Sequence, residues 1–305
     1  MAGTPLAGEH HGPTAGEHHG PTASEARLDA LMPAEMAARA AEVGVRKAAL
    51  AVVPMFVLAV LAGAFIALGA AFATTVAAGA AGVLPYGIIR LVAGFAFSLG
   101  LILVIVGGAE LFTGNNLLAM AWASRRISTG AVMRNWAIVY AGNLVGAVGT
   151  AALIVAAGQY RFGDGAVGAV ALSTAAAKAG LDPLRAFVLG ILCNGLVCLA
   201  VWLTYSARTT TDRILAIVPP ISAFVAAGFE HSIANMYFVP LGLLIAGLDP
   251  GFVAAHDLGR LAQALSWSAF LRANLLPVTI GNVIGGTVLV GGVYWFVYLR
   301  PRRET

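Results

Sequence analysis

The sequence predicts an all-α membrane protein: six transmembrane helices in two inverted three-helix repeats, with helices 2 and 5 broken at mid-membrane. Three observations carry this reading. Of the 305 residues, 59% are hydrophobic and 10% charged, with a mean hydropathy of +0.86, whereas soluble domains carry about 25% charged residues. The apolar residues fall into six blocks, each long enough to supply the ~20 helical residues that cross a hydrocarbon core, and blocks two and five are too long for one plain span. Two blocks carry the same polar interruption, G-x-E-x-x-x-x-N.

Residues 1–23 contain the octapeptide A-G-E-H-H-G-P-T twice, at 7–14 and 15–22. Gly, Pro and His without an apolar anchor predict a disordered tail. His10, His11, His18 and His19 could bind Ni, Cu or Zn weakly but without fixed geometry, and the segment lacks the charged start and apolar core of a signal peptide. Over residues 24–47, Leu28, Leu31, Met32, Met36, Ala40 and Val43 recur among Glu and Arg, with Pro33 at a helix start. This spacing predicts an amphipathic helix lying at the membrane interface. The transmembrane domain is expected over residues 48–300, with blocks at 48–72, 91–122, 131–157, 186–205, 214–247 and 275–299, and residues 301–305 form a short tail.

The net charge of +4 forms no dense basic stripe, so nucleic acid is not an expected partner. The cations instead orient the chain. With the N-terminus inside, Arg27, Arg39, Arg46, Lys47, Arg125, Arg126, Arg134, Arg208, Arg213, Arg300, Arg302 and Arg303 lie on the cytoplasmic side. Arg90, Arg161, Lys178, Arg185, Arg260 and Arg272 lie opposite, and twelve against six predicts both termini in the cytoplasm. Cys193 and Cys198 match neither redox nor zinc spacing and read as buried small side chains. No metal constellation, nucleophile pair or nucleotide loop is visible, so neither an enzyme nor a cofactor is expected.

The interruptions read Gly108-Ala109-Glu110-Leu111-Phe112-Thr113-Gly114-Asn115 and Gly228-Phe229-Glu230-His231-Ser232-Ile233-Ala234-Asn235. Each is followed by a G-N-x-x-G string, at 142–146 and 281–285. An odd number of spans per half inverts the second copy, an arrangement of transport proteins whose site lies where broken helices meet. Unwound backbone at that depth must be satisfied inside protein, and Asn115, Asn143, Asn194, Asn235 and Asn282 are available to do so. Each break also exposes a helix N-terminus to which an anion is attracted.

His231 is the one histidine inside an expected span, which makes it a functional candidate, with a hydrogen-bonded structural histidine as the competing reading. Ionised Glu110 and Glu230 would repel an anion, so they are expected to cap freed backbone donors beside the path. Lys178 stands in a run of Ala, Ser, Thr and Gly; it reads either as a solvated loop charge or as a vestibule cation that concentrates anions. Phe97, Leu101, Leu111, Phe112 and Phe224 read as packing residues on periodicity alone.

These strings resemble the formate/nitrite transporter family. The resemblance is carried by F-S-L-G-L-I-L at 97–103, A-E-L-F-T-G at 109–114, G-N-L-V-G-A at 142–147 and C-N-G-L-V-C-L-A-V-W at 193–202. G-F-E-H-S-I-A-N-M at 228–236 and N-L-L-P-V-T-I-G-N-V-I-G-G at 274–286 complete it, over about residues 27–301. It implies an aquaporin-like bundle, a homopentamer in a bacterial-type cytoplasmic membrane, and one anion pore per protomer. It places Thr113 and His231 at the pore centre, with Asn194 and Asn282 as polar support. Leu101, Leu111 and Val197 become an inner apolar slit, Phe97 and Phe224 an outer one, and Lys178 a vestibule residue. Asn115 and Asn235 support the breaks. Gly195 departs from the family, where a bulky residue often follows this asparagine.

The expected function is a pH-dependent pore for small monovalent anions, formate or nitrite, with lactate and hydrosulfide as further candidates and protons as co-substrate. His231 would stabilise or exchange that proton. The rivals are a passive channel in which His231 only donates a hydrogen bond, and an aquaporin-like pore for neutral solutes, although no Asn-Pro-Ala string occurs at either break. F-T-G and A-K-A-G look like nitrite-type members. P-V-T-I-G-N-V-I-G-G and F-V-P-L-G look like formate-type members, which tips the expectation to formate.

Overall fold

The computed structural model describes residue 3 and residues 30–301, and the rest of the expected histidine-rich tail, residues 24–29 and residues 302–305 lie outside them. Among the described residues all regular structure is helical. Helix α1 (Pro33–Ala48) starts at its proline, where the Glu35 carboxylate accepts the Met32 N–H at 2.9 Å. Its buried face, Met36, Ala37 and Ala40, packs on Leu117, Met120, Cys198 and Trp202 of the protein itself. Helices α2 (Val52–Ala77) and α3 (Tyr86–Gly107) follow. After the first interruption, a 3-10 turn (Gly114–Leu117) leads into α4 (Leu118–Ala123).

Helix α5 (Thr129–Ala156) is capped by Ser128, whose hydroxyl accepts from the Ala131 N–H. Helix α6 (Ala166–Ala179) occupies the Ala-rich run around Lys178, where a loop is one of the two expectations. Alanine's helix propensity decides that run. Helix α7 (Pro183–Ser206) starts at Asp182, which accepts from the Leu184 and Arg185 amides, and α8 (Thr210–Ala226) from a Thr209/Asp212 capping box. The second interruption leads into α9 (Ser232–Leu248). Short helices α10 (Pro250–Ala255) and α11 (Gly259–Gln263) precede α12 (Trp267–Tyr298), which contains π-helical stretches at Phe270–Leu275 and Gly285–Gly292.

Among the described residues five helices, α2, α3, α5, α7 and α12, are long and apolar enough to cross a membrane. The remaining block is divided into α8 and α9, of 17 residues each. Large apolar side chains such as Val53, Phe95, Leu153 and Leu276 are exposed on the outside, a surface suited to hydrocarbon. Helix α2 packs on α3 and α5, and α7 packs on α8 and α12, so each half is built around one central helix.

The glycine of each interruption ends the preceding helix. Gly108 has φ +78° and Gly228 φ +76°, the left-handed conformation that glycine adopts without steric cost. The turn closes identically: the Ala109 N–H donates to the Val104 carbonyl at 2.9 Å and the Phe229 N–H to the Phe224 carbonyl at 3.0 Å. The G-N-x-x-G strings serve close approach. A methyl group on Gly146 would collide with the Val60 carbonyl, and one on Gly285 with the Ile191 carbonyl. Small residues here let α5 and α12 lie directly on the backbones of α2 and α7.

Candidate functional site

Two asparagines hold the interruptions open. The Asn143 amide donates to the Ala59 carbonyl at 2.7 Å and the Glu110 carbonyl at 2.9 Å, while its oxygen accepts the Phe112 N–H at 2.9 Å. Asn282 repeats this atom for atom, donating to Gly190 at 2.8 Å and Glu230 at 2.9 Å and accepting the Ser232 N–H at 2.9 Å. The freed backbone groups are therefore satisfied by side chains rather than by lipid or solvent.

That arrangement corrects the role expected of Glu110 and Glu230. Neither carboxylate caps a backbone donor. Glu110 accepts the Asn115 amide at 2.7 Å and the Lys47 ammonium at 2.8 Å; Glu230 accepts the Asn235 amide at 2.7 Å and the Lys178 ammonium at 2.8 Å. Asn115 donates on to Asn135 at 2.9 Å, and Asn235 to Asn274 at 2.7 Å. Lys178 lies in helix α6 rather than in a loop, and its side chain, 15% exposed, pairs with Glu230. Two lysine–carboxylate pairs thus flank the interruptions, each tied to the asparagine of its own interruption.

The centre lies between them. Thr113 and His231 are buried, and the Thr113 hydroxyl is 2.9 Å from His231 Nε2. His231 is also the N-cap of α9, where its Nδ1 accepts the Ala234 N–H at 3.1 Å. That bond needs an unprotonated Nδ1, so the ring proton sits on Nε2 and points to Thr113. Asn194 ties the halves together. Its amide donates to the Thr113 carbonyl at 3.2 Å, the Asn116 side chain at 2.7 Å and the Asn282 carbonyl at 2.7 Å, and its oxygen has no partner among the described residues.

Apolar side chains lie beside the centre. The His231 ring stacks on Phe224 with centroids 5.9 Å apart, and Phe224 meets Phe97 edge-on at 5.6 Å. Leu101 and Leu111 line a cavity of about 270 Å³ that also reaches Arg39, Lys47 and Arg213. Val197 is buried in the same apolar cluster as these leucines but does not border the cavity. Cys193 and Cys198 are buried free thiols. No group of three or more metal-ligating side chains occurs among the described residues.

A family model described as Formate/nitrite transporter matches residues 34–296. The chain belongs to the formate/nitrite transporter family. It is 45% identical over 274 residues to the formate channel FocA of Escherichia coli K12, covering 89% of this chain and 96% of that one. It is 42% identical over 247 residues to the formate channel FocA of Haemophilus influenzae, covering 77% and 84%. The fold matches a solved pentameric formate channel with formate bound at a TM-score of 0.76 and 43% identity, over 82% of this chain and 98% of that one. Membership of this family describes a multi-pass membrane protein, in keeping with the apolar helices.

Sequence reasoning missed Lys47, Asn135 and Asn274 as parts of the site. Lys47 was read only as an orientation charge, although it donates to both Glu110 and Asn115. A signal for the asparagines exists: Asn135 and Asn143, and Asn274 and Asn282, form the same N-x7-N spacing in each half.

Proposed function

We propose that this chain assembles as a homopentamer in a bacterial-type cytoplasmic membrane, both termini inside, and that each protomer conducts formate, and more weakly nitrite, lactate or hydrosulfide. The residues expected at the pore centre, Thr113 and His231, are the carrying observation: two hydrogen-bonding side chains, one from each interruption, 2.9 Å apart, beside the leucines and phenylalanines expected as the inner and outer apolar layers. Similarity to formate channels supports the choice of anion.

An anion entering either apolar layer loses hydration that nothing there replaces. The same desolvation raises the pKa of a weak acid, so formate takes up a proton in the cavity and crosses as the neutral acid. Between the layers, the His231 Nε2–H and the Thr113 hydroxyl offer donors to its oxygens. The Ala234 N–H on Nδ1 favours an imidazole that donates without changing its charge. A second reading, in which His231 itself exchanges the proton, requires Nδ1 to release that amide.

Proteoliposomes test the function. Formate influx should exceed glycerol influx, and nitrite, hydrosulfide and lactate should compete with formate across about pH 5 to about pH 8. Glycerol permeation without formate permeation would assign the chain to neutral solutes instead.

A further inference from the structure

We infer that the inner cavity is a binding site for a polyvalent oxyanion, a dicarboxylate or inorganic phosphate, held by Arg39 and Arg213, and that its occupancy blocks formate. The blocking rests on the pore reading above; the binding does not. The cavity is walled by α1, α3, the first interruption and the adjoining ends of α7 and α8. Its charges are unbalanced. Glu110 is the sole carboxylate in the lining and is already paired with Lys47 at 2.8 Å. Arg39, from α1, and Arg213, from α8, have no ion-pair partner among the described residues, and neither has the Tyr205 hydroxyl a hydrogen-bond partner there.

Two guanidinium groups and a phenol in a cavity lined by leucines exceed what a single formate can use. Attraction scales with the product of charges, so two uncompensated cations favour a dianion over the permeant, and the guanidinium fork suits carboxylate or phosphate oxygens. Such a ligand cannot follow formate inward. Both of its charges would have to be neutralised before it met Leu101 and Leu111, so it stalls at the mouth.

Calorimetry on the detergent-purified full chain, titrated with inorganic phosphate and separately with succinate at fixed ionic strength, reads binding without reference to transport. Saturable heat is expected. Arg39→Gln and Arg213→Gln should each weaken it by about tenfold, and Arg39→Lys by less, because lysine keeps the charge but loses the fork. In proteoliposomes, phosphate on the arginine side should reduce formate flux, and the concentration for half-block should rise in the same variants, each referred to its own unblocked flux. Both arginines are surface-accessible, and elution as the wild-type oligomer checks their folding. Binding unchanged in the double variant, or equal inhibition by sodium chloride at matched ionic strength, would overturn the inference. Retained binding in a protein that carries no formate would support the site and refute the pore reading instead.

Discussion

His231 Nε2 meets the Thr113 hydroxyl at 2.9 Å across 118 positions of chain, each residue coming from a different interruption. The surrounding scaffold is repeated but this pair is not. The Phe112 and Ser232 amides bind Asn143 and Asn282 equivalently, which makes Leu111 and His231 the corresponding residues of the two halves. One half supplies an apolar layer where the other supplies an imidazole. The same backbone device thus places a leucine at one interruption and an imidazole at the other.

Replacing Thr113 tests the pair from its other side. Thr113→Val keeps the shape but leaves the Nε2–H without an acceptor, at a cost of about 1–3 kcal/mol. Formate flux in proteoliposomes should fall about tenfold or more, while Thr113→Ser should stay near wild type. Equal flux in the valine and serine variants would remove the hydroxyl from the path.

The asparagine braces should behave alike. Asn143→Leu and Asn282→Leu each remove three buried hydrogen bonds and strand backbone groups at membrane depth. Each is expected to destabilise the protein by about 3 kcal/mol or more. Thermal unfolding in detergent should show similar losses for both; stability retained in either would contradict the bracing role.

The buried ion pairs make a double-mutant prediction. Lys178→Met leaves the Glu230 carboxylate, 5% exposed, without its cation, at about 3–5 kcal/mol. Adding Glu230→Gln removes the stranded charge, and thermal stability should recover most of the loss. A double variant as unstable as the single one would show that the pair is not coupled.

Away from the spans, Tyr160, the Phe252 amide and Arg161 together hold the Asp249 carboxyl down at about 2. Tyr160 donates to Asp249 at 2.7 Å and Arg161 at 2.6 Å. A depressed carboxyl stabilises the fold above its unfolded pKa of about 3.9 and loses that contribution as pH falls through the folded value. Amide-exchange protection around residues 249–256 should therefore be flat from about pH 8 to about pH 5 and decline below about pH 4. Asp249→Asn should lower it throughout. A decline between pH 5 and pH 8 would assign an acid response to this cluster and away from the pore.

The interruptions were legible in the sequence because local chemistry writes them. A glycine that must adopt positive φ, an acid two residues on and an asparagine five beyond that recur in both halves, and Asn143 and Asn282 stood in matching strings. The pairings were not legible. Lys47 reaches Glu110 across 63 residues and Lys178 reaches Glu230 across 52, and nothing in a single chain states which lysine a buried acid will meet. The carboxylates were assigned to backbone donors for that reason, although the asparagines already satisfied them. Helix α6 was hidden for a different reason: a run of alanine, serine and glycine carries little amphipathic signal, and the helix follows from propensity and from packing on α9.

Formate flux in proteoliposomes, followed from about pH 8 to about pH 5 for the wild type and His231→Asn, bears on the pore centre most directly. Asparagine can still cap α9 at the Ala234 amide but is too short to reach Thr113. Wild-type flux should rise as pH falls, and the variant should run about tenfold lower with the same dependence on pH. Undiminished flux in the variant would contradict a Thr113–His231 centre, and a flat pH response would contradict an imidazole that donates without exchanging its proton.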